Sequence, residues 1–207
     1  MFTHDVTIPA VTEPSTKGLL IFISGPSGVG KSTVCLRLSR ELPAEFALSA
    51  TTRPPKAQDR HGKRYEFVTE AEFKDRIEKK DFLEYSNVFG NWYGTLRRPV
   101  EEALAAGRMV LLEIDVHGGR QIAEIFPDAA GVFILPPSMD ELRRRLEVRG
   151  RDEPDVIARR LDEAEREIEF ARQFDAYRCM VVNENLEQTV RDILRFVSGF
   201  PDTGVGL

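Results

Sequence analysis

The chain has 207 residues, enough for one compact domain with a full core, and its 42% apolar and 30% charged content is that of an ordinary globular protein. A formal net charge of −5 excludes broad binding to nucleic acid or to a membrane surface, both of which need a basic face. Any anionic substrate must then be held by a local cluster of Lys and Arg, and no apolar run approaches the roughly 20 residues that span a bilayer.

Residues 1–17, with Pro9 and Pro14 among Thr and Ser, lack a basic start and an apolar stretch, and read as a flexible tail, not a signal peptide. A cytoplasmic location is the corresponding expectation. Leu19–Ser24 is a short apolar, β-branched run that reads as a buried strand. The next eight residues, Gly25-Pro26-Ser27-Gly28-Val29-Gly30-Lys31-Ser32, match the phosphate-loop pattern G-x-x-x-x-G-K-[ST] at every fixed position. From Thr33, the apolar Val34, Cys35, Leu38 and Leu42 recur at helical spacing. Strand, glycine-rich turn and helix start aim backbone N–H groups at one point, where a polyphosphate can be enclosed. There Lys31 places its ammonium on the outer phosphates and Ser32 its hydroxyl on Mg²⁺, so the chain binds a nucleoside triphosphate through residues Gly25 to Thr33.

Phe46–Thr51 reads as a second strand, followed by a polar, proline-containing stretch from Arg53 to Arg64. Tyr65–Val68 and Phe82–Val88 read as strands around a helix over Glu70–Lys80, and Asn91–Thr95 reads as turn-like. A helix over Pro99–Ala106 stops at Gly107. Met109–Asp115 and Val132–Leu135 are strand-like and flank a helix that runs to Phe126. Ser138 and Glu141 have capping-box spacing at the start of a charged helix. A second charged helix, from about Glu153 to Phe174, puts Ile157, Leu161, Ala164, Ile168 and Ala171 on one face. Cys179–Val182 is the last strand, and Leu186, Val190, Ile193, Leu194 and Val197 mark a final amphipathic helix before a frayed tail, residues 199–207. The alternation predicts an α/β fold on a parallel sheet, interrupted over about 50–95 by an inserted lobe. Cys35 and Cys179, far apart within apolar elements, read as buried reduced thiols, and His4, His61 and His117 share no metal-ligand spacing.

A phosphate loop alone does not separate kinases from GTPases and mechanical ATPases. Asp115-Val116-His117-Gly118 fits the D-x-x-G of GTPases, but no N-K-x-D follows to read guanine, and a motor needs more chain. A small kinase is the economical reading.

Further runs identify which kind. Ser49-Ala50-Thr51-Thr52-Arg53-Pro54-Pro55-Lys56, Gly62-Lys63-Arg64-Tyr65-Glu66-Phe67-Val68, Phe82-Leu83-Glu84-Tyr85 and Gly90-Asn91-Trp92-Tyr93-Gly94-Thr95 closely resemble the guanylate kinase family. So do Leu112-Glu113-Ile114-Asp115, Phe133-Ile134-Leu135-Pro136-Pro137-Ser138 and Arg145-Leu146-Glu147-Val148-Arg149-Gly150, in order over residues 18–197. The resemblance implies a P-loop kinase fold over 18–198, with a nucleoside-monophosphate lobe at about 50–95 and a helical lid at about 143–160. It implies transfer of the γ-phosphoryl of ATP to GMP, and to dGMP, with Mg²⁺ as cofactor, in purine nucleotide metabolism.

At positions matching the family, Ser49, Arg53, Lys56, Tyr65 and Tyr93 bind the GMP phosphate, supplying hydroxyls and positive charge. Glu84 reads the adjacent N1–H and amino donors of guanine, Thr95 sets a hydroxyl near the base, and Asp115 faces GMP or a Mg²⁺-bound water. Arg145, Arg149 and Arg160 match lid arginines that close on the phosphates, and Asn183 matches an adenine-side contact. Three departures stand out. Lys56 replaces an Arg and so lacks the rigid fork, Glu113 replaces the first Asp of L-D-I-D, and Gln58-Asp59 replaces Gly-Glu. Arg60 or Arg64 could compensate at the phosphate. Two rival functions fit the same motifs: a kinase of the same fold acting on another phosphorylated acceptor, such as a ribose bisphosphate, and a non-catalytic phosphopeptide-binding module.

Overall fold

The computed structural model describes residues 18–55, 64–148 and 153–200. The tail over 1–17, Lys56, Arg60, Arg149 and the Gln58-Asp59 pair therefore lie outside the described residues.

Leu20–Ser24 (β1) is the centre of a five-stranded parallel sheet of order β2-β7-β1-β8-β9, where β2 is Ala44–Phe46, β7 Met109–Glu113, β8 Ala130–Leu135 and β9 Cys179–Val182. Alternate residues of β1 serve opposite faces. Ile21 and Ile23 pack with Leu111, Val132 and Ile134 beneath α1 (Lys31–Glu41) and α7 (Leu186–Ser198). Leu20 and Phe22 pack with Val110, Leu112 and Phe133 on the other side, against α3 (Arg97–Ala105) and α4 (Val116–Ile125). A strand covered on both faces has no solvent side, which is why β1 is an unbroken apolar run. A smaller core joins α5 (Met139–Val148) to α6 (Pro154–Gln173) through Leu142, Leu146, Ile157, Leu161 and Ala164.

The second sheet has the order β4-β3-β6-β5: β3 is Ser49–Thr51, β4 Tyr65–Phe67, β5 Phe82–Val88 and β6 Asn91–Leu96. Its core is Phe73 of α2 (Glu70–Glu78), stacked on Phe82 at 4.5 Å and on Trp92 at 5.8 Å.

Four local expectations change. The single strand over 46–51 divides into β2 and β3, because the chain leaves one sheet for the other: Ala47 N–H still donates to Leu111, whereas Leu48 C=O already accepts from Leu96. The turn-like 91–95 segment is strand β6, paired on both edges, and Gly94 is there because a Cβ would meet the Phe82 ring at 2.8 Å. The C-terminal fraying does not begin at 199, since Phe200 packs edge-on against Phe196 at 5.1 Å and joins the core. Half of the Ser138 capping box forms: Glu141 N–H donates to Ser138 Oγ at 3.1 Å, but the Glu141 carboxylate is taken by Arg144 and Arg145. Cys35 is buried and Cys179 half-buried, both as free thiols.

Candidate active site

The phosphate loop leaves β1 at its carboxyl end and closes on the first turn of α1. Gly28 and Gly30 have φ of 97° and 106°, a region that strains any other residue. Space demands glycine as well: a Cβ at 28 would meet Leu146 at 2.8 Å and one at 30 the Asn183 amide at 2.6 Å. No side chain caps α1; Gly30 is the cap, so the helix start presents backbone donors and the Ser32 hydroxyl to the cleft. The Lys31 ammonium folds onto the loop, donating to the Gly25 carbonyl and, at 3.0 Å, to that of Pro26.

A cleft of about 730 Å³ separates this loop from the second sheet and from α6. Ser27, Gly28, Gly30, Lys31, Ser32 and Thr33 line one wall, and Ser49, Arg53, Tyr65, Glu84 and Tyr93 the facing one. Strand alternation explains the second set. Ser49 and Thr51 on β3 lie opposite Thr95 and Tyr93 on β6, and Ser49 also opposite Tyr65 on β4, so three strands send side chains to one place. The Arg53 guanidinium lies over the Tyr65 ring at 5.1 Å and the Phe67 ring at 5.3 Å, and donates to the Pro54 carbonyl. Tyr65 and Tyr93 meet edge-on at 6.3 Å. Burial pushes the Tyr65 phenol well above its ordinary range, with the nearby Glu113 carboxylate adding to the rise, so it remains an O–H donor.

Glu84 is 4% exposed at the base of this wall. Its Oε1 accepts from Thr95 N–H at 3.0 Å and from Thr95 Oγ at 2.6 Å. The second oxygen stands against Gly118, where a Cβ would come within 2.4 Å of it. Burial lifts this carboxyl to about 7, helped by the neighbouring Asp115 and opposed by the Thr95 bonds. Thr95, opposite Glu84 in the β5–β6 pairing, is 1% exposed and does not line the cleft, and its two hydrogen bonds orient the acid.

Glu113, the last residue of β7, and Asp115, two residues beyond it, divide their work differently from the sequence expectation. Asp115 caps α4: its Oδ1 accepts from Gly118 N–H at 2.9 Å and its Oδ2 from Ser86 Oγ. The D-x-x-G spacing of Asp115 and Gly118 is therefore a helix start. Glu113 is the acid that accepts a hydrogen bond from Ser32 Oγ, and its other oxygen lies 3.6 Å from Arg64 Nη1. Arg64 stacks over the Phe46 ring at 3.8 Å, so its guanidinium is committed to Glu113 and Phe46 and not to compensating for Lys56.

Arg160 reaches the cleft from α6, but Arg145 and Asn183 do not line it. Arg145 donates to the carbonyls of Val29, at 3.3 Å, and Asn183, at 2.9 Å. The Asn183 amide donates to Val29 C=O at 2.8 Å and accepts from Thr189 Oγ at 3.2 Å. Both side chains brace the back of the phosphate loop. Sequence reasoning missed Ser86, Glu163 and Glu167 on the cleft wall. The spacing of Arg160, Glu163 and Glu167 on one face of α6 was the available signal. Burial lifts the Glu167 carboxyl to about 7; Lys31 opposes the rise, while Asp115 and Glu163 add to it.

A phosphate loop at the carboxyl edge of a parallel sheet, faced by a buried acid among basic and hydroxyl groups, defines a P-loop kinase of small acceptors. The family model described as guanylate kinase matches residues 17–199. A guanylate kinase of Synechocystis sp. is 44% identical over 91% of this chain and 97% of its own, and one of Symbiobacterium thermophilum is 44% identical over 86% and 83%. The crystal structure of guanylate kinase from Anaplasma phagocytophilum superposes with a TM-score of 0.72 at 31% identity, covering 89% of this chain and 86% of that one. The chain belongs to the guanylate kinase family.

Proposed function

We propose that this nucleoside-monophosphate kinase transfers the γ-phosphoryl of ATP to GMP, and to dGMP, giving ADP and GDP. The observation that carries this reading is Glu84. A carboxylate buried at the cleft wall, fixed through one oxygen by Thr95, matches the paired N1–H and amino donors of guanine. Adenine lacks that pair, so AMP would leave a buried acid unsatisfied, at a cost of about 1–3 kcal/mol.

Arg53, with the Ser49, Tyr65 and Tyr93 hydroxyls and Lys56, holds the acceptor phosphate. That phosphate is itself the nucleophile, so the reaction needs alignment and charge neutralisation more than a general base. Lys31 leaves the Gly25 and Pro26 carbonyls for the outer phosphates of ATP, replacing two neutral acceptors with anionic ones. Arg160, with Arg149 beyond the described residues, covers the transferring group and excludes water. Asp115, close enough to Glu84 to raise its pKa, belongs to the guanine side.

Magnesium fits the loop mouth. The Ser32 hydroxyl and Glu113 carboxylate converge there as hard oxygen donors, and would hold the ion with the phosphates. Ser32 and Glu113 are the two side chains that would hold it, with the phosphates supplying further oxygen donors. Bound, it neutralises charge on the β- and γ-phosphates. Among the described residues no helix is long and apolar enough to cross a membrane. We place the enzyme in the cytoplasm, acting on free nucleotides.

ADP release measured with GMP, dGMP, IMP, AMP and ribose bisphosphate as acceptors tests the assignment. GMP and dGMP are expected to turn over at least tenfold better than IMP or AMP. Equal turnover of AMP, preference for the sugar phosphate, or ATP binding without acceptor-stimulated turnover would each overturn it.

A further inference from the structure

The hairpin tip joining β5 to β6 is built against its own stability. Val88 pairs with Asn91, so the turn is Phe89-Gly90, and both residues have positive φ, 48° and 81°. Two-residue turns of this kind favour Asn, Asp or Gly at the first position, because a side chain with a bulky ring crowds the backbone there. Asn87 supports the turn by accepting from Gly90 N–H at 3.1 Å. Yet position 89 carries a phenylalanine that is 50% exposed. Neither the backbone nor the hydrophobic effect accounts for that choice.

The ring's position does. Phe89 lines the cleft mouth on the second sheet, and the Arg160 guanidinium, projecting from α6 on the opposite side, lies 4.9 Å from its ring centroid. That distance is within cation–π range, and the planar guanidinium lies against the negative face of the ring. The contact spans the cleft between the acceptor-binding sheet and the lid helix. On α6, Arg160 shares its cleft-facing side with Glu163 and Glu167.

We infer that Phe89 is a positioning residue, holding Arg160 across the cleft so that the guanidinium meets the transferring phosphoryl group when both nucleotides are bound. The inference rests on the role given above to Arg160. It links the acceptor side to the lid through one ring, and it explains why a strained aromatic occupies a turn that asparagine would serve better.

Steady-state kinetics in both nucleotides, with thermal unfolding, test this on Phe89→Tyr, Phe89→Leu, Phe89→Asn, Arg160→Ala and the Phe89→Leu/Arg160→Ala double variant. Phe89→Tyr keeps a π face and is expected within about twofold of wild type. Phe89→Leu and Phe89→Asn lower kcat by about five- to tenfold, with both KM values within about twofold. Phe89→Asn also raises Tm, by about 2–4 °C, so stability and turnover move in opposite directions. Arg160→Ala loses at least about a hundredfold in kcat, and Phe89→Leu adds nothing in that background. Full turnover in the Leu and Asn variants beside a crippled Arg160→Ala would overturn the role of Phe89 alone. So would a rise in KM for GMP at unchanged kcat, or losses that multiply in the double variant. Wild-type turnover in Arg160→Ala would remove the role of Arg160 and this inference with it.

Discussion

Glu84→Gln should separate the two things the buried acid does. In the free protein burial lifts its carboxyl from the ordinary 4.5 to about 7, because burial disfavours the charge more than the Thr95 bonds favour it. The folded-state pKa lies above the unfolded one, so the neutral form is preferred in the fold. Glu84 by itself therefore makes the free protein less stable as pH rises from about 4.5 to 7, by about 3 kcal/mol over the whole range; Glu84→Gln should remove that contribution and keep the parallel one of Glu167. Substrate works in the other direction. Guanine donates two hydrogens and requires the carboxylate, so apparent GMP affinity should fall about tenfold between pH 8 and pH 6 in wild type. Part of any such slope belongs to GMP, whose phosphate takes up a proton near pH 6. The variant isolates that part: its amide does not titrate, and it should keep only the slope of the phosphate. At pH 8 its KM for GMP should be raised by about 10–100-fold, the cost of setting an NH₂ against a donor. Discontinuous assay of GDP formation across pH 6–8, with melting curves of both proteins at each pH, reads both effects. A flat GMP affinity in wild type, or the same slope in both proteins beyond pH 6.5, would refute the reasoning.

Three further outcomes follow from the geometry. Gly118→Ala would drive a methyl to within 2.4 Å of the second Glu84 oxygen, so KM for GMP should rise by about tenfold or more while ATP binding, read by calorimetry, is unchanged. Asn183→Leu removes the amide between Val29 C=O and Thr189 Oγ; it should cost about 1–3 kcal/mol in denaturant unfolding and weaken ATP binding several-fold, whereas retained ATP affinity would remove Asn183 as a brace of the loop. Glu113→Ala should lower ATP affinity by about tenfold with Mg²⁺ and by little without it, and Arg64→Ala, which frees a partly exposed pair, should shift the same ratio by only about two- to threefold.

The phosphate loop was legible in the chain because its requirements are local. Positive φ, absent Cβ atoms and a helix start are properties of consecutive residues, and the apolar run of β1 announced a strand covered on both faces. Glu84, Arg53, Tyr65 and Tyr93 were found by resemblance across separate runs, and the pairing of β3 with β4 and β6, and of β6 with β5, brings them to one wall. The 91–95 segment misled because Asn and Gly are turn residues wherever packing does not intervene, and here Phe82 covers Gly94. Which acid meets Ser32 was not readable from spacing. Glu113 and Asp115 are two residues apart, one ending β7 and the other opening α4, and only the capping of α4, with the Ser86 bond, engages both Asp115 oxygens and leaves Ser32 to Glu113.

Arg145 and Asn183 carry the same lesson further. A cation and an amide near a phosphate loop satisfy a nucleotide-binding pattern by residue type, yet both are turned to the loop's carbonyls, 116 and 154 residues away in the chain for Val29. Residue order encodes what neighbours along the backbone do to one another: helix starts, glycine turns, strand alternation and the chemistry each side chain offers. Direction and partnership belong to the packed molecule, because a side chain goes to whichever donor or acceptor burial has left unsatisfied, and that is decided by elements that meet only when the sheets and helices close on each other.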